Sequence, residues 1–128
     1  MLKILIVDDS APIRLALCSI INRQDGLCVC GEASNGTEAI SEASMLRPDV
    51  VVLDLAMPVM NGINAATHLN RLLPGTHLVM FTSHLTGIVE ELGRSEGIEA
   101  FVDKGDSTKL LRVLQSFEVG SRAESGGV

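Results

Sequence analysis

The chain has 128 residues, of which 46% are hydrophobic, and a formal net charge of -6 at pH 7. This length suffices for one domain with a core of its own, and the acidic balance argues against a domain that binds nucleic acid through its phosphates. No stretch reaches the length of a membrane-spanning helix, and the N-terminus does not have the pattern of a secretory signal, so we expect a soluble cytoplasmic protein without membrane contact. Cys18, Cys28 and Cys30 are expected to be reduced structural thiols, as suits that compartment.

Five short apolar runs are typical of strands that are covered on both faces. They are Ile4–Val7, Leu27–Gly31, Val50–Leu53, Leu78–Phe81 and Ala100–Val102. Each run is followed by a helical pattern: a segment that Ser10 is predicted to cap, then Gly36–Leu46, Gly62–Leu73, Leu85–Arg94 and Ser107–Phe117. The alternation predicts a single α/β domain over residues 1–119, with a parallel five-stranded sheet and right-handed crossovers. Residues 120–128 are small and polar, and we expect a flexible tail or the start of a linker.

Polar side chains follow four of the five predicted strands. They are Asp8 and Asp9 after the first strand, Asp54 after the third, Thr82 after the fourth and Lys104 after the fifth. In open parallel sheets, sites form at the carboxyl ends of the strands, so we expect these side chains to meet. Three crowded carboxylates repel one another, and Mg²⁺, which prefers oxygen ligands, relieves that repulsion. The set predicts phosphoryl transfer, in which Asp54 is the carboxylate nucleophile and Lys104 and Thr82 contact phosphoryl oxygens.

Four segments, at these intervals and in this order, resemble the receiver domain of bacterial two-component response regulators over about Leu2 to Phe117. The segments are "ILIVDDS", "VVVLDLAMPVMNG", "FTS" and "FVDKG". The resemblance implies a doubly wound, flavodoxin-like (βα)5 fold with the strand order 2-1-3-4-5. It implies that Asp54 accepts a phosphoryl group from a histidine kinase or a phosphotransfer protein. Mg²⁺ would be held by Asp8, Asp9, Asp54 and the backbone carbonyl of Ala56.

The resemblance also implies a signalling switch, not an enzyme: the chain would catalyse only its own phosphoryl uptake and loss. Thr82 would be the switch hydroxyl, Phe101 the switch aromatic, and Lys104 the lysine that balances the phosphoryl charge. The phosphoryl group would favour an active form that is already populated, with Phe101 turning into the space that Thr82 leaves. The surface made by the fourth helix, fifth strand and fifth helix, with Leu85 and Ile88 near its edge, is expected to be the face for a partner or a homodimer.

The loop after the third strand carries further features. Pro58 restricts Met57 to extended geometry, and Gly62 is expected to give the backbone freedom where the third helix begins. In the family, the positions that Ala56 and His84 hold here tune how long the phosphoryl group lasts.

Three other readings stay open. A degenerate receiver could act as a docking module without phosphorylation. A magnesium-dependent phosphatase of the haloacid dehalogenase type also uses an aspartate nucleophile, but it places a second acid where this chain has Ala56. A nucleotide-binding fold needs a glycine-rich loop after the first strand, and "VDDSAP" contains no glycine.

As a receiver, the chain is expected either to stand alone or to belong to a longer regulator with a helix-turn-helix output domain, which would make it a transcription regulator.

Overall fold

The structure, a computed structural model, describes residues 1–126, and it describes the side chains of residues 1–118. Strands and helices alternate five times along the chain. The bounds are β1 Leu2–Val7, α1 Ala11–Asn22, β2 Leu27–Ala33, α2 Gly36–Leu46, β3 Val50–Leu53, α3 Gly62–Leu72, β4 His77–Thr82, α4 Gly87–Ser95, β5 Ile98–Asp103 and α5 Ser107–Gly126.

All five strands are parallel and lie in the order β2-β1-β3-β4-β5, which confirms the predicted fold. Because the sheet is covered on both faces, side chains of successive strand residues pack into two separate apolar cores, one on each face. One core packs residues such as Leu5, Leu53 and Phe101 against α2, α3 and α4. The other packs residues such as Ile6 and Val102 against α1 and α5. The carboxyl ends of β1, β3 and β5 are therefore held on a rigid layer.

The ends of several elements differ from the prediction. α4 begins at Gly87, two residues later than expected, because the Thr86 hydroxyl accepts a hydrogen bond from the Val89 N–H and caps the helix there. α5 runs to Gly126, so the predicted helix end at Phe117 was too early. The tail or linker assigned to residues 120–128 stays a prediction, and its last two residues lie outside the described part of the chain.

The outer face of α4 is partly apolar. Ile88 and Leu92 are 71% and 52% exposed, and Ile88 had been predicted to lie near the edge of the partner face. Leu85 and Val89 pack instead against the core on that side of the sheet. The helix thus presents two aliphatic side chains, one turn apart, to solvent.

Within residues 1–126, no helix has both the length and the apolar character needed to cross a bilayer.

Polar side chains cap the first four helices, and Ser10 caps α1 as predicted. At α2, the Asn35 carboxamide oxygen accepts a hydrogen bond from the Glu38 N–H at 2.9 Å. The Glu38 carboxylate in turn accepts hydrogen bonds from the N–H and the hydroxyl of Ser34, both at 3.0 Å. These reciprocal bonds satisfy donors that the helix itself cannot pair.

We expect Glu38→Gln to make the stability of the domain less dependent on acid pH. The Ser34 N–H, and then its hydroxyl, hold the pKa of Glu38 below its ordinary value of 4.5. A lowered folded-state pKa contributes stability above 4.5 that is lost as pH falls through the folded-state value. Urea midpoints of the two proteins should therefore differ at neutral pH and converge in acid. A constant difference at all pH values would contradict this role.

The outer edge of β2 is irregular. The pairing of β1 with β2 shifts where Ile4 lies opposite Val29 and Leu5 opposite Gly31, so Cys30 is the extra residue of a bulge. The Val29 N–H donates to the Asn22 side-chain oxygen at 2.8 Å, so the last residue of α1 satisfies a donor of the strand. The three cysteines are free thiols, and burial raises the pKa of Cys18 and of Cys30.

Candidate functional site

The backbone just beyond three strand ends is fixed by continued sheet pairing. The first N–H group past each strand still donates to a carbonyl of the neighbouring strand, at 3.1 Å in each case: Asp8 to Ala33, Asp54 to Val7 and Lys104 to Thr82. The side chains of Asp8, Asp54 and Lys104 therefore leave a backbone that is as ordered as the sheet itself. This is why residues far apart in sequence meet with defined geometry.

One ammonium group joins two buried carboxylates at the centre of the site. Lys104 Nζ lies 2.8 Å from Asp8 Oδ2 and 2.8 Å from Asp54 Oδ2. The side chains of Asp8 and Asp54 are only 3% and 5% exposed. Burial by itself lowers the pKa of the Lys104 ammonium, but the hydrogen bonds and charges of Asp54 and Asp8 outweigh burial and raise this pKa. Lys104 is thus held in its charged form between the two acids.

A third carboxylate, that of Asp9, lies beside the two that contact Lys104. One oxygen from each of Asp8, Asp9 and Asp54 lies within 4.8 Å of the other two. Asp8 Oδ1 accepts a hydrogen bond from the Ser10 N–H at 2.9 Å, but Asp54 Oδ1 is buried without a hydrogen-bond partner among the described residues. An unsatisfied buried carboxylate oxygen beside two further acids is costly unless a cation is added. The all-oxygen donor set fits Mg²⁺, which takes few protein ligands and keeps several waters.

The structure places the two predicted switch residues in the interior. Thr82 is completely buried, and its hydroxyl oxygen accepts a hydrogen bond from the N–H of the exposed His84 at 3.2 Å. Phe101 is 5% exposed and lies under Gly93, where an added Cβ would come within 2.6 Å of the ring. The Arg94 guanidinium carbon lies 5.2 Å from the ring centroid. The ring is thus already buried in this structure, and the switch role of both residues stays a prediction.

Gly62 is required for a different reason from the one predicted. Among the glycines of residues 1–126, only Gly26 and Gly97 have positive φ, so conformational freedom is not what Gly62 supplies. A Cβ at Gly62 would instead overlap the backbone carbonyl oxygen of Asp54. The left-handed residue of this loop is Val59, with a φ of 72° and an 85% exposed side chain. Ala56 is exposed in the same loop, and its carbonyl as a metal ligand stays a prediction.

Arg14 is a residue of the site that the sequence reading missed. Its Nη1 donates to the backbone carbonyl of Asp8 at 2.6 Å, and its Nε lies 3.1 Å from Glu32 Oε1. A sequence signal existed, because the first turns of a helix that follows a site-bearing strand lie beside that site. Arg14 is in the first turn and a half of α1 and is the only basic residue there.

A five-stranded doubly wound sheet with an Asp-Asp pair, a strand-end aspartate and a lysine at one edge defines a class of signalling domain. The model of the response regulator receiver domain matches residues 4–115, and the chain belongs to that family. It is 32% identical over 124 residues to the response regulator protein VraR of Staphylococcus aureus, covering 97% of this chain and 58% of VraR. The chain thus spans little more than half the length of the curated relatives it matches.

Solved structures show the same relationship. A LuxR-family two-component response regulator from Aurantimonas sp. SI85-9A1 superposes with a TM-score of 0.87 at 28% identity, covering 92% of this chain and 85% of that one. The complex of CheX, CheY, BeF3 and Mg²⁺ from Borrelia burgdorferi gives a TM-score of 0.82 at 25% identity, covering 91% and 89%. The domain is therefore a CheY-like receiver of two-component signalling with a flavodoxin-like fold. Receiver domains are signalling switches that interact with kinases or phosphotransfer proteins and bind Mg²⁺ at an acidic pocket.

Proposed function

We propose that this chain is a phosphorylation-dependent switch in which Asp54 accepts the phosphoryl group. The observation that carries the proposal is the state of the Asp54 carboxylate. It is buried, one oxygen is 2.8 Å from Lys104 Nζ, and the other has no partner among the described residues. An oriented carboxylate with a free oxygen beside a fixed ammonium is suited to nucleophilic attack on phosphorus.

The transfer converts one bond to phosphorus into another. An Asp54 oxygen bonds to phosphorus while the bond from phosphorus to the donor nitrogen or oxygen breaks, and the donor keeps that electron pair. The product is a mixed anhydride on Asp54, which water later hydrolyses to the carboxylate and inorganic phosphate. Lys104 balances the charge of one phosphoryl oxygen, and Thr82 donates a hydrogen bond to another. The chain catalyses only these reactions of its own side chain.

The metal site belongs to this proposal. Asp8, Asp9 and Asp54, together with the backbone carbonyl of Ala56, would hold Mg²⁺. The ion supplies positive charge against the oxygens of the incoming phosphoryl group. Without it, the incoming dianion meets three carboxylates and one ammonium, and repulsion opposes its approach.

The output of the switch is assigned to the surface formed by α4, β5 and α5. Thr82 ends β4, which pairs with β5, and the Phe101 ring of β5 lies against Gly93 of α4. A movement of Thr82 toward a phosphoryl group would therefore reach α4 through β5. Ile88 and Leu92 give this surface exposed apolar area. We assign it to an output domain, a partner protein or a second copy of the chain. A histidine kinase or phosphotransfer protein would supply the phosphoryl group.

Phosphorylation by a small donor tests the proposal. Intact-protein mass spectrometry after treatment with acetyl phosphate and Mg²⁺ should show one added phosphoryl group on the wild type. Asp54→Asn should show none, and chelation of the metal should abolish the gain. Asp25→Asn is the matched control, because Asp25 is an exposed aspartate between α1 and β2, at the opposite edge of the sheet, and should leave uptake intact. A wild type that takes up no phosphate would instead favour the docking module.

A further inference from the structure

Arg14 holds the peptide that joins the two acids of β1. Its Nη1 donates to the Asp8 carbonyl oxygen at 2.6 Å, and this carbonyl belongs to the peptide bond between Asp8 and Asp9. The Asp8 side chain is fixed independently by Ser10 and Lys104. Asp9 is exposed, so the orientation of its carboxylate depends on the peptide that precedes it.

Glu32, on the neighbouring strand β2, holds the Arg14 guanidinium. Its Oε1 lies 3.1 Å from Arg14 Nε, and the Arg14 side chain is 19% exposed. The planar guanidinium can satisfy a carbonyl and a carboxylate at the same time, which an ammonium group cannot do with the same geometry. The same carboxylate lies beside Cys18, whose pKa is raised first by burial and then by Glu32. Glu32 is therefore held against α1 at two successive turns.

Arg14 borders an open cleft of about 270 Å³, whose other lining residues are Glu32, Ala33, Ser34 and Glu38. Next to this cleft, two polar contacts hold the guanidinium, one to the Asp8 carbonyl and one to Glu32.

We infer that Arg14 is a positioning residue for the metal site: through the Asp8–Asp9 peptide it sets the orientation in which Asp9 binds Mg²⁺. This inference rests on the proposed function. It predicts that loss of a positive charge weakens the binding of a cation, although Arg14 lies close to the cation site. If only that charge mattered, its removal would strengthen Mg²⁺ binding. If positioning dominates, its removal weakens binding, as loss of outer-sphere partners does at other metal sites.

Calorimetric titration of the full chain with Mg²⁺ separates these outcomes. We expect both Arg14→Met and Arg14→Lys to raise the Kd roughly 10-fold, the low end for loss of such a partner. Arg14→Lys keeps the positive charge but loses the planar guanidinium. If charge alone mattered, the Kd of Arg14→Lys would equal that of the wild type and the Kd of Arg14→Met would be lower. Arg23→Met is the matched control, because Arg23 is the residue at the opposite end of α1. It should keep the wild-type Kd.

A second readout distinguishes positioning from a merely structural role. The metal-free Arg14 variants should shift the amide resonances of Asp9 and Ser10 while circular dichroism shows a folded domain. A variant that loses stability but keeps the wild-type Kd would overturn the inference, and so would a lower Kd for Arg14→Met. If the wild type itself binds no Mg²⁺, the proposed metal site fails and this inference fails with it. Wild-type binding together with unchanged variants removes the inference alone.

Discussion

Lys104→Met is expected to lower the free energy of unfolding by about 3 kcal/mol in metal-free buffer, the range for removing one partner of a buried ion pair. The variant leaves Asp8 and Asp54 buried side by side with no cation between them. Lys104 is 17% exposed, so some water can reach the site, and we expect the lower end of that range. Added Mg²⁺ should recover part of the loss, because it would neutralise the same carboxylates.

Urea unfolding followed by far-ultraviolet circular dichroism measures this effect, since the chain has no Trp or Tyr for a fluorescence signal. Lys109→Met removes the same charge from an exposed position in the first turn of α5. It should change stability by less than about 0.5 kcal/mol. If the two variants lose equal stability, the buried triad of Asp8, Asp54 and Lys104 does not contribute as described.

Gly62→Ala is expected to destabilise the domain by roughly 2–3 kcal/mol, because the added methyl group has no room. The Gly62 N–H donates to the Leu55 carbonyl at 2.9 Å, so the start of α3 is fastened to the chain just beyond β3. The Cβ would overlap the carbonyl oxygen of Asp54, and neither backbone can move without breaking this contact. The same displacement would shift the Asp54 carboxylate, so we also expect slower phosphoryl uptake from acetyl phosphate.

Gly87→Ala provides the matched control. Gly87 is the first residue of α4, as Gly62 is of α3, but a Cβ at Gly87 would meet nothing within 4 Å. Alanine favours a helix over glycine by up to about 1 kcal/mol, so this variant should be neutral or more stable. Equal denaturant midpoints for the two variants would show that the close approach at Gly62 is relieved without cost.

The sequence predicted the sheet and the acids of the site because both are local signals. Apolar runs of three to five residues that alternate with helical patterns favour buried strands. A carboxylate directly after such a run lies at the sheet edge whatever the rest of the chain does. Asp8, Asp54 and Lys104 were therefore placed before any geometry was known, and the structure brings them within hydrogen-bond distance.

The features that sequence missed depend on contacts between distant segments. The periodicity of α4 does not show which of its apolar side chains pack on the sheet, and only the packed fold shows that Leu85 and Val89 do while Leu92 faces solvent. Glycine at position 62 is compatible with freedom or with close approach, and the neighbouring carbonyl decides between them. The place of Arg14 at the start of α1 puts it near the site, but only the packed fold shows its contacts with the Asp8 carbonyl and with Glu32 on β2.

The bulge at Cys30 and the Asn22 contact at the outer edge of β2 restrict how copies of the domain can pair through this strand. An outermost strand offers unpaired N–H and C=O groups on which a foreign strand can extend the sheet. Here the bulge at Cys30 bends the strand, and Asn22 already occupies the Val29 donor. A foreign strand that pairs with β2 would first have to break the hydrogen bond between Val29 and Asn22 and straighten the bulge. Extension of the sheet at its β2 edge is thereby disfavoured.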